Sequence, residues 1–345
     1  MLRIALVLLL VPACSGSSRG AGDSGLASTD DASALAQDAA ASNDAAASND
    51  DAWTASPTDS GHTGPATPDQ VGPYPVTMSS TTLTGATAVA YLPTLAAGEH
   101  APLIVFKHGF QLSSSNYAML LQRLATHGFI VVGVNTASGI FGGPTNVDER
   151  DAILHTIDWA LGAAPFASSV DGAHIAVMGH SRGGKDAVLA AAADPRITAA
   201  LLFDPVNGCG PGMAYSATCP DAASATQAGA LTIPVGVMGE TNDVRGAMPC
   251  APTAQNYTTI YAALHASSWA VQWTFTDAVH MTFTDDGGGA FGRLCAMEPA
   301  NVATLRDDIH AMSVAFARYH LRGETDMAAW LIGGSLPTGV TQVGP

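Results

Sequence analysis

Short apolar runs alternate with longer amphipathic segments from about residue 88 to residue 321. The apolar runs predict seven strands, at residues 88–92, 103–106, 130–134, 175–178, 199–203, 233–238 and 271–275. Segments with helical periodicity predict five helices, at residues 117–126, 147–161, 182–193, 257–266 and 302–321. Strands that alternate with helices, and that are apolar on both faces, are typical of a mostly parallel sheet covered on both sides. The pattern therefore predicts an α/β fold.

Residues at the ends of these segments support the predicted helix boundaries. Thr145 or Asn146 is suited to begin the second helix, while Gly128 and Gly323 are suited to end the first and the last. In the last helix an apolar stripe recurs at helical spacing, which indicates core packing.

The first residues of the chain resemble an export signal. A short basic start ending at Arg3 precedes the apolar stretch 4–11, and small residues then lead to Cys14. We predict a signal peptide over residues 1–14 with lipidation at Cys14, as in bacterial lipoproteins. Pro12 is unusual at such a site, so ordinary cleavage near Ala13 stays open as the alternative. The expected location is extracytoplasmic, either membrane-anchored or secreted.

Residues 15–71 are predicted to form a disordered acidic linker. The stretch 20–70 consists mostly of small and polar residues and contains nine Asp with no Lys or Arg. It cannot bury enough apolar surface to offset the entropy of ordering. Residues 72–345 then form one predicted catalytic domain. The formal net charge of the whole chain is −16, which disfavours a nucleic-acid partner.

Four cysteines lie within the predicted domain. Three pairings are possible, and Cys209 with Cys219 and Cys250 with Cys295 is the simplest, since each pair would close one insertion. An even number of cysteines in an exported chain favours disulfides. A zinc site is disfavoured because no C-x-x-C spacing occurs and no histidine is close to any of the four.

The motif Gly179-His180-Ser181-Arg182-Gly183 joins a predicted strand to a predicted helix. A serine on such a sharp turn is held in a strained conformation, and the flanking glycines let neighbouring backbones approach. This placement predicts that Ser181 is the nucleophile of an α/β-hydrolase fold.

A serine nucleophile needs a base and an acid that orients the base. In this fold they follow in the order serine, acid, histidine. His280 lies on the loop after the last predicted strand and is the predicted base. Asp204, which follows a strand and precedes a proline, is favoured as the acid, with Asp243 and Glu240 on the next loop as alternatives.

Two backbone N–H groups should stabilise the oxyanion of the reaction intermediate. The predicted donors are Arg182, directly after the nucleophile, and Phe110, on the loop after the strand that ends at Lys107. His108 and His180 flank the site and are predicted to be structural.

Six segments of the chain resemble, in order, the signature segments of plant chlorophyllases. They are Lys107-His108-Gly109-Phe110, residues 124–132, residues 179–185, Asp204-Pro205-Val206-Asn207-Gly208, residues 249–252 and residues 280–286. The segment 124–132 is also similar to bacterial cutinase-like polyester hydrolases and platelet-activating-factor acetylhydrolases. The resemblance implies Ser181 as nucleophile, Asp204 as acid and His280 as base.

The expected function is therefore a serine carboxylic-ester hydrolase that forms an acyl-enzyme. We expect no cofactor, no metal, a small or polymeric ester as substrate, and a monomer that meets the membrane only through its lipid anchor. A cutinase-like or lipase-like hydrolase of polyesters or lipids is the alternative, and the segment between Val206 and Leu231 is either a lid or a surface loop. A non-catalytic surface-binding lipoprotein on a hydrolase scaffold is the alternative from another class.

Overall fold

The computed structural model describes residues 66–137, 143–210, 212–243 and 248–345. The predicted signal peptide, Cys14 and most of the predicted linker lie outside the described residues, so those predictions stay untested. Among the residues described, no helix combines the length and apolar character that membrane crossing requires.

The described residues form a nine-stranded, mostly parallel sheet. Its order is β1-β2-β4-β3-β5-β6-β7-β8-β9, and the central strands from β4 to β8 pair in parallel, whereas β1, β2 and β9 make antiparallel pairs. The strands are β1 (Val76–Leu83), β2 (Ala86–Pro93), β3 (Ala101–Lys107), β4 (Ile130–Asn135), β5 (Val170–His180), β6 (Ile197–Phe203), β7 (Val235–Glu240), β8 (Ala270–Phe275) and β9 (Val340–Val343).

All seven predicted strands are present, and the predicted fold class is confirmed. Two strands were not predicted, β1 and β9, because both lie at an edge of the sheet and are rich in exposed polar residues. An edge strand that is largely solvated carries no continuous apolar run, which is the signal that identified the buried strands.

Five of the helices in the described residues correspond to the predicted ones, one of these five is shorter than predicted, and the four-residue helix Gly289–Gly292 was not predicted. The helices are α1 (Ala118–Thr126), α2 (Asn146–Gly162), α3 (Arg182–Ala193), α4 (Tyr257–Tyr261), α5 (Gly289–Gly292) and α6 (Val302–Arg322), with short 3₁₀ turns at Ser114–Tyr117, Ala167–Ser169, Ala228–Ala230, His280–Phe283 and Thr325–Trp330. Thr145 caps α2 by accepting the N–H of Asp148, and Gly323 ends α6 with φ of 67°.

The helix predicted over residues 257–266 is too long, because α4 ends at Tyr261. The chain continues through tighter turns in which Ala263 and Leu264 donate to carbonyls three residues earlier. Ser268 then donates its N–H to the carbonyl of Thr232, which returns the chain to the sheet for β8. The helix therefore ends early because tertiary hydrogen bonds to the neighbouring segment outweigh the local helical pattern.

Two hydrophobic cores lie on opposite faces of the sheet. One packs α1 and α6 against the sheet, with Leu121 and Phe316 fully buried. The other packs α2, α3 and α4, with Ile157, Val188 and Ile260 fully buried. With both faces covered, the C-terminal ends of the parallel strands are the natural place for a site.

Glycines let the turn between β5 and α3 pack closely against its neighbours. A Cβ built on Gly183 would lie 2.3 Å from the carbonyl oxygen of Lys107 and 2.4 Å from that of His108. A Cβ built on Gly179 would lie 2.2 Å from the carbonyl oxygen of Gly183. Since these contacts are to backbone, only glycine allows the loop after β3 to approach the start of α3 this closely.

We predict that Gly183→Ala destabilises the protein by about 1–3 kcal/mol, the usual cost of overpacking, and lowers its melting temperature. The matched control is Gly162→Ala, at the last residue of α2, where a Cβ would meet nothing within 4 Å. That control should be neutral or slightly stabilising. Thermal unfolding followed by circular dichroism measures both, and a Gly183→Ala melting temperature equal to wild type would contradict the close-packing argument.

Candidate active site

Three non-glycine residues of the described chain have positive φ, and all three lie beyond the C-terminal ends of central parallel strands, which together form one edge of the sheet. They are Gln111 at 59°, Ser181 at 56° and Asp204 at 39°, after β3, β5 and β6 respectively. Such conformations are costly and persist only where the surrounding structure enforces them. Their convergence marks this edge as the candidate site.

The structure brings Ser181, His280 and Asp204 together, although they lie far apart in sequence. The Nε2 atom of His280 is 2.9 Å from the Oγ atom of Ser181, and its Nδ1 atom is 2.6 Å from Oδ2 of Asp204. Asp204 and His280 are buried, and Ser181 is 9% exposed. In this geometry a serine hydroxyl can pass its proton to an imidazole that a carboxylate orients.

Electrostatics favour a charged imidazole once a proton arrives. Burial alone would lower the pKa of His280, but the hydrogen bond to Asp204 and its negative charge raise that pKa above its ordinary value. Burial and the charge of Asp204 raise the pKa of nearby Glu240 to about 8, so Glu240 is mostly neutral at pH 7. Asp204 is the carboxylate in direct contact with the imidazole.

The two alternative acids have other partners: Glu240 is the last residue of β7, and Asp243 lies on the loop that follows. Oδ2 of Asp243 accepts the N–H of Ala251 at 2.7 Å. Oε2 of Glu240 accepts the N–H groups of Asn242 and, at 2.7 Å, of Asp243. Both side chains therefore hold the loop itself, and neither has a hydrogen bond to His280 in the described structure.

The loop after β3 lies directly against Ser181. A Cβ built on Gly109 would be 3.2 Å from the Cβ of Ser181, and the N–H of Leu112 donates to the carbonyl of Gly109 to close a turn. Phe110 is 36% exposed, and its ring packs edge-on to Phe291 with centroids 5.6 Å apart. The oxyanion roles of Phe110 and Arg182 stay a prediction.

A buried ionic cluster beneath the start of α3 was not predicted from the sequence. Glu149 of α2 accepts a hydrogen bond from Nε of Arg182 at 2.6 Å and lies 3.7 Å from Nζ of Lys107. Burial alone would raise the pKa of Glu149, but the charge of Lys107, a hydrogen bond with Asp186 and the contact with Arg182 together lower it to about 2. The sequence offered no signal, since an acidic residue in the first turn of a helix is ordinary.

The two histidines predicted to be structural are both buried and belong to hydrogen-bond networks. Nδ1 of His108 is 2.8 Å from the carbonyl oxygen of Gly109, and Nε2 is 3.0 Å from Nζ of Lys107. Burial and the charge of Lys107 lower the pKa of His108 to about 3. His180 contacts both Tyr117 and the backbone of His280.

Two disulfides lie near this edge of the sheet. Cys209 is bonded to Cys219, and Cys250 to Cys295. These bonds are compatible with an extracytoplasmic protein, because disulfides persist in oxidising compartments. No group of three or more His, Cys, Asp or Glu side chains in the described residues is arranged to hold a metal ion.

The strand order, together with a serine at the turn from β5 to α3, defines an α/β-hydrolase. Within that class the chain belongs to the chlorophyllase family, whose family model matches residues 66–336.

Three relatives illustrate the range of the similarity. Chlorophyllase-1 of Arabidopsis thaliana is 31% identical over 243 residues, which cover 65% of this chain and 73% of the relative. A bis(hydroxyethyl) terephthalate hydrolase of Streptomyces coelicolor is 27% identical over 219 residues, covering 61% and 62%. Cutinase 1 of Thermobifida cellulosilytica is 29% identical over 103 residues, covering 30% and 38%. The family and these names support an ester hydrolase at this coarse level.

We predict that Asp204→Asn lowers kcat/KM on the order of 10³–10⁴-fold, because an amide does not hold the imidazole in the required tautomer. Asp243→Asn, the same change on the next loop, should keep activity within a few fold of wild type. Activity is measured by release of p-nitrophenol from p-nitrophenyl acetate.

The same variants predict the direction in which the pH dependence of kcat/KM should change. In the wild type kcat/KM should fall as the pH drops through the raised pKa of His280, above the ordinary value of about 6.5. Loss of the carboxylate charge in Asp204→Asn should move this acid limb of the residual activity to lower pH. Severe loss of activity in Asp243→Asn with little loss in Asp204→Asn would assign the acid to the later loop.

Proposed function

We propose that the protein is a serine carboxylic-ester hydrolase in which Ser181 is the nucleophile, His280 the base and Asp204 the acid. The observation that carries this proposal is the hydrogen-bonded line from Oγ of Ser181 through the imidazole of His280 to Oδ2 of Asp204, at 2.9 Å and 2.6 Å. The family membership supports the same class of reaction.

In the first half of the proposed reaction, Oγ of Ser181 attacks the carbonyl carbon of the ester while Nε2 of His280 takes the hydroxyl proton. A tetrahedral intermediate forms, and its oxyanion accepts hydrogen bonds from the backbone N–H groups of Phe110 and Arg182. His280 then gives the proton to the alcohol oxygen, the carbon–oxygen bond breaks, and the alcohol leaves an acyl group on Ser181.

In the second half, water replaces the alcohol. His280 takes a proton from the water as its oxygen attacks the acyl carbon, and a second tetrahedral intermediate forms. The intermediate collapses when His280 returns the proton to Oγ of Ser181, and the carboxylic acid is released. The buried carboxylate of Asp204 stabilises the imidazolium in both halves, which agrees with the raised pKa of His280.

Exposed apolar side chains beside the site favour a second candidate, hydrolysis of polyesters or lipids. Met248 is 40% and Leu294 48% exposed, and the Met248 N–H donates to the Leu294 carbonyl. The Cys250–Cys295 disulfide joins their two segments, and Phe291 of the second packs on Phe110. An apolar rim of this kind suits an apolar substrate.

A substrate panel decides between these two candidates. We expect p-nitrophenyl esters from acetate to laurate to be hydrolysed, and a polyester film to release soluble acid if the second candidate is right. Activity on short esters with none on laurate or the film would restrict the function to a small-ester hydrolase.

We also propose that the enzyme is exported and tethered through a lipid on Cys14, as the first residues of the chain predict. The two disulfides support an oxidising compartment.

Ser181→Ala tests the catalytic proposal most directly. We expect its ester hydrolysis to fall to the residual level of a triad variant, on the order of 10⁴-fold or more below wild type. A fluorophosphonate should add covalently to wild type at Ser181, as seen by peptide mass spectrometry, and not to the variant. Equal turnover by the two proteins would end the catalytic proposal and favour a binding protein on a hydrolase scaffold.

A further inference from the structure

Tyr117 and His180 form a buried chain of hydrogen bonds between the loop after β3 and the loop that carries His280. The N–H of Gly109 donates to the hydroxyl of Tyr117 at 3.1 Å, and that hydroxyl lies 2.7 Å from Nδ1 of His180. At the other side of the ring, Nε2 of His180 lies 3.1 Å from the carbonyl oxygen of His280.

The chemistry of the partners fixes the direction of each hydrogen bond. The carbonyl of His280 can only accept, so Nε2 of His180 carries the proton and donates. Burial, with the charge of His280, lowers the pKa of His180 far below its ordinary value, so the ring is neutral and Nδ1 accepts. The hydroxyl of Tyr117 therefore donates to Nδ1 and accepts from Gly109.

Both side chains are almost inaccessible to solvent, Tyr117 at 1% and His180 at 0% exposed. No water can replace a lost partner easily at such positions, so the loss of one member leaves the others without a partner. The ring of His180 also packs on the ring of His280, with centroids 4.6 Å apart. The hydrogen-bond chain therefore holds the loop after β3 and the loop of His280 at a fixed separation.

We propose that Tyr117 and His180 are positioning residues that set the distance between the oxyanion donor at Phe110 and the base His280. This inference rests on the proposed function, because Gly109 directly precedes Phe110 and the His280 carbonyl belongs to the base. Neither side chain touches the substrate. Both act through the two loops, whose separation decides whether the oxyanion and the imidazole fit the same intermediate.

Tyr117→Phe removes one hydroxyl and breaks the chain at its centre. We expect kcat to fall by about tenfold or more, with KM nearly unchanged, because small displacements of reacting groups cost large factors in rate. Inhibition by phenylboronic acid, whose boron forms a tetrahedral adduct with the serine, should weaken by a similar factor. The matched control is Tyr91→Phe, which removes the hydroxyl of a second tyrosine, 2% exposed as a residue, that takes no part in this chain.

His180→Gln tests the same inference if Tyr117→Phe does not fold. A glutamine amide can still donate to the His280 carbonyl but does not place an acceptor where Nδ1 lies. We expect kcat of His180→Gln to lie between the values for wild type and Tyr117→Phe. Where both single variants fold, their effects should be non-additive in the double variant, as expected for residues that act as a unit. All values are taken per active site, counted by fluorophosphonate titration.

The outcomes separate this inference from the proposed function. Wild-type kcat and boronate affinity in Tyr117→Phe and His180→Gln, with Ser181→Ala inactive, would overturn the positioning role alone. An equal loss of kcat in Tyr91→Phe would also overturn it, since the effect would then follow from any hydroxyl lost from the core. Wild-type activity in Ser181→Ala would instead overturn the proposed function.

Discussion

Ser181 lies at φ of 56°, and the rest of the site depends on the contacts that hold it in this conformation. Its N–H donates to the carbonyl of Phe203 at 3.0 Å, and its own carbonyl accepts the N–H of Val206 at 3.0 Å. The backbone of β6 and of the segment after it therefore fixes the backbone of Ser181 on one side. The strain is sustained because β6 supplies one of these hydrogen bonds and the segment after β6 supplies the other.

The same contacts bring the acid into place. Asp204 lies between the two residues that bond to the backbone of Ser181, and its own N–H donates to the carbonyl of Met238 on β7 at 2.8 Å. On the other side, Gly183 allows the loop after β3 to approach within contact of α3. The loops after β3, β5 and β6 therefore meet at this one strained turn. His280, on the loop after β8, is the third side chain of the site beside Ser181 and Asp204.

Charged groups beneath the turn add a second constraint. Lys107, Glu149 and Arg182 are held in a largely buried cluster, and Arg182 is the first residue of α3. Removing one member of a buried ion pair leaves an uncompensated charge, at a typical cost of about 3–5 kcal/mol. The cluster therefore ties the position of the nucleophile's helix to α2 and β3, while Tyr117 and His180 tie the two loops above.

The sequence by itself determined the layered α/β fold, the seven buried strands and the positions of Ser181 and His280 on loops that follow strands. Apolar runs and a glycine-flanked serine are local signals, so they can be read along the chain. The sequence favours Asp204 through the proline that follows it and through the family resemblance, but only the tertiary structure decided which carboxylate contacts His280, because that contact joins residues 76 positions apart. The edge strands β1 and β9 also needed the tertiary structure, because they are largely solvated and carry no continuous apolar run. The contacts of Tyr117 and Glu149 needed it as well, since their partners lie 63 and 33 residues away, where no local pattern records them.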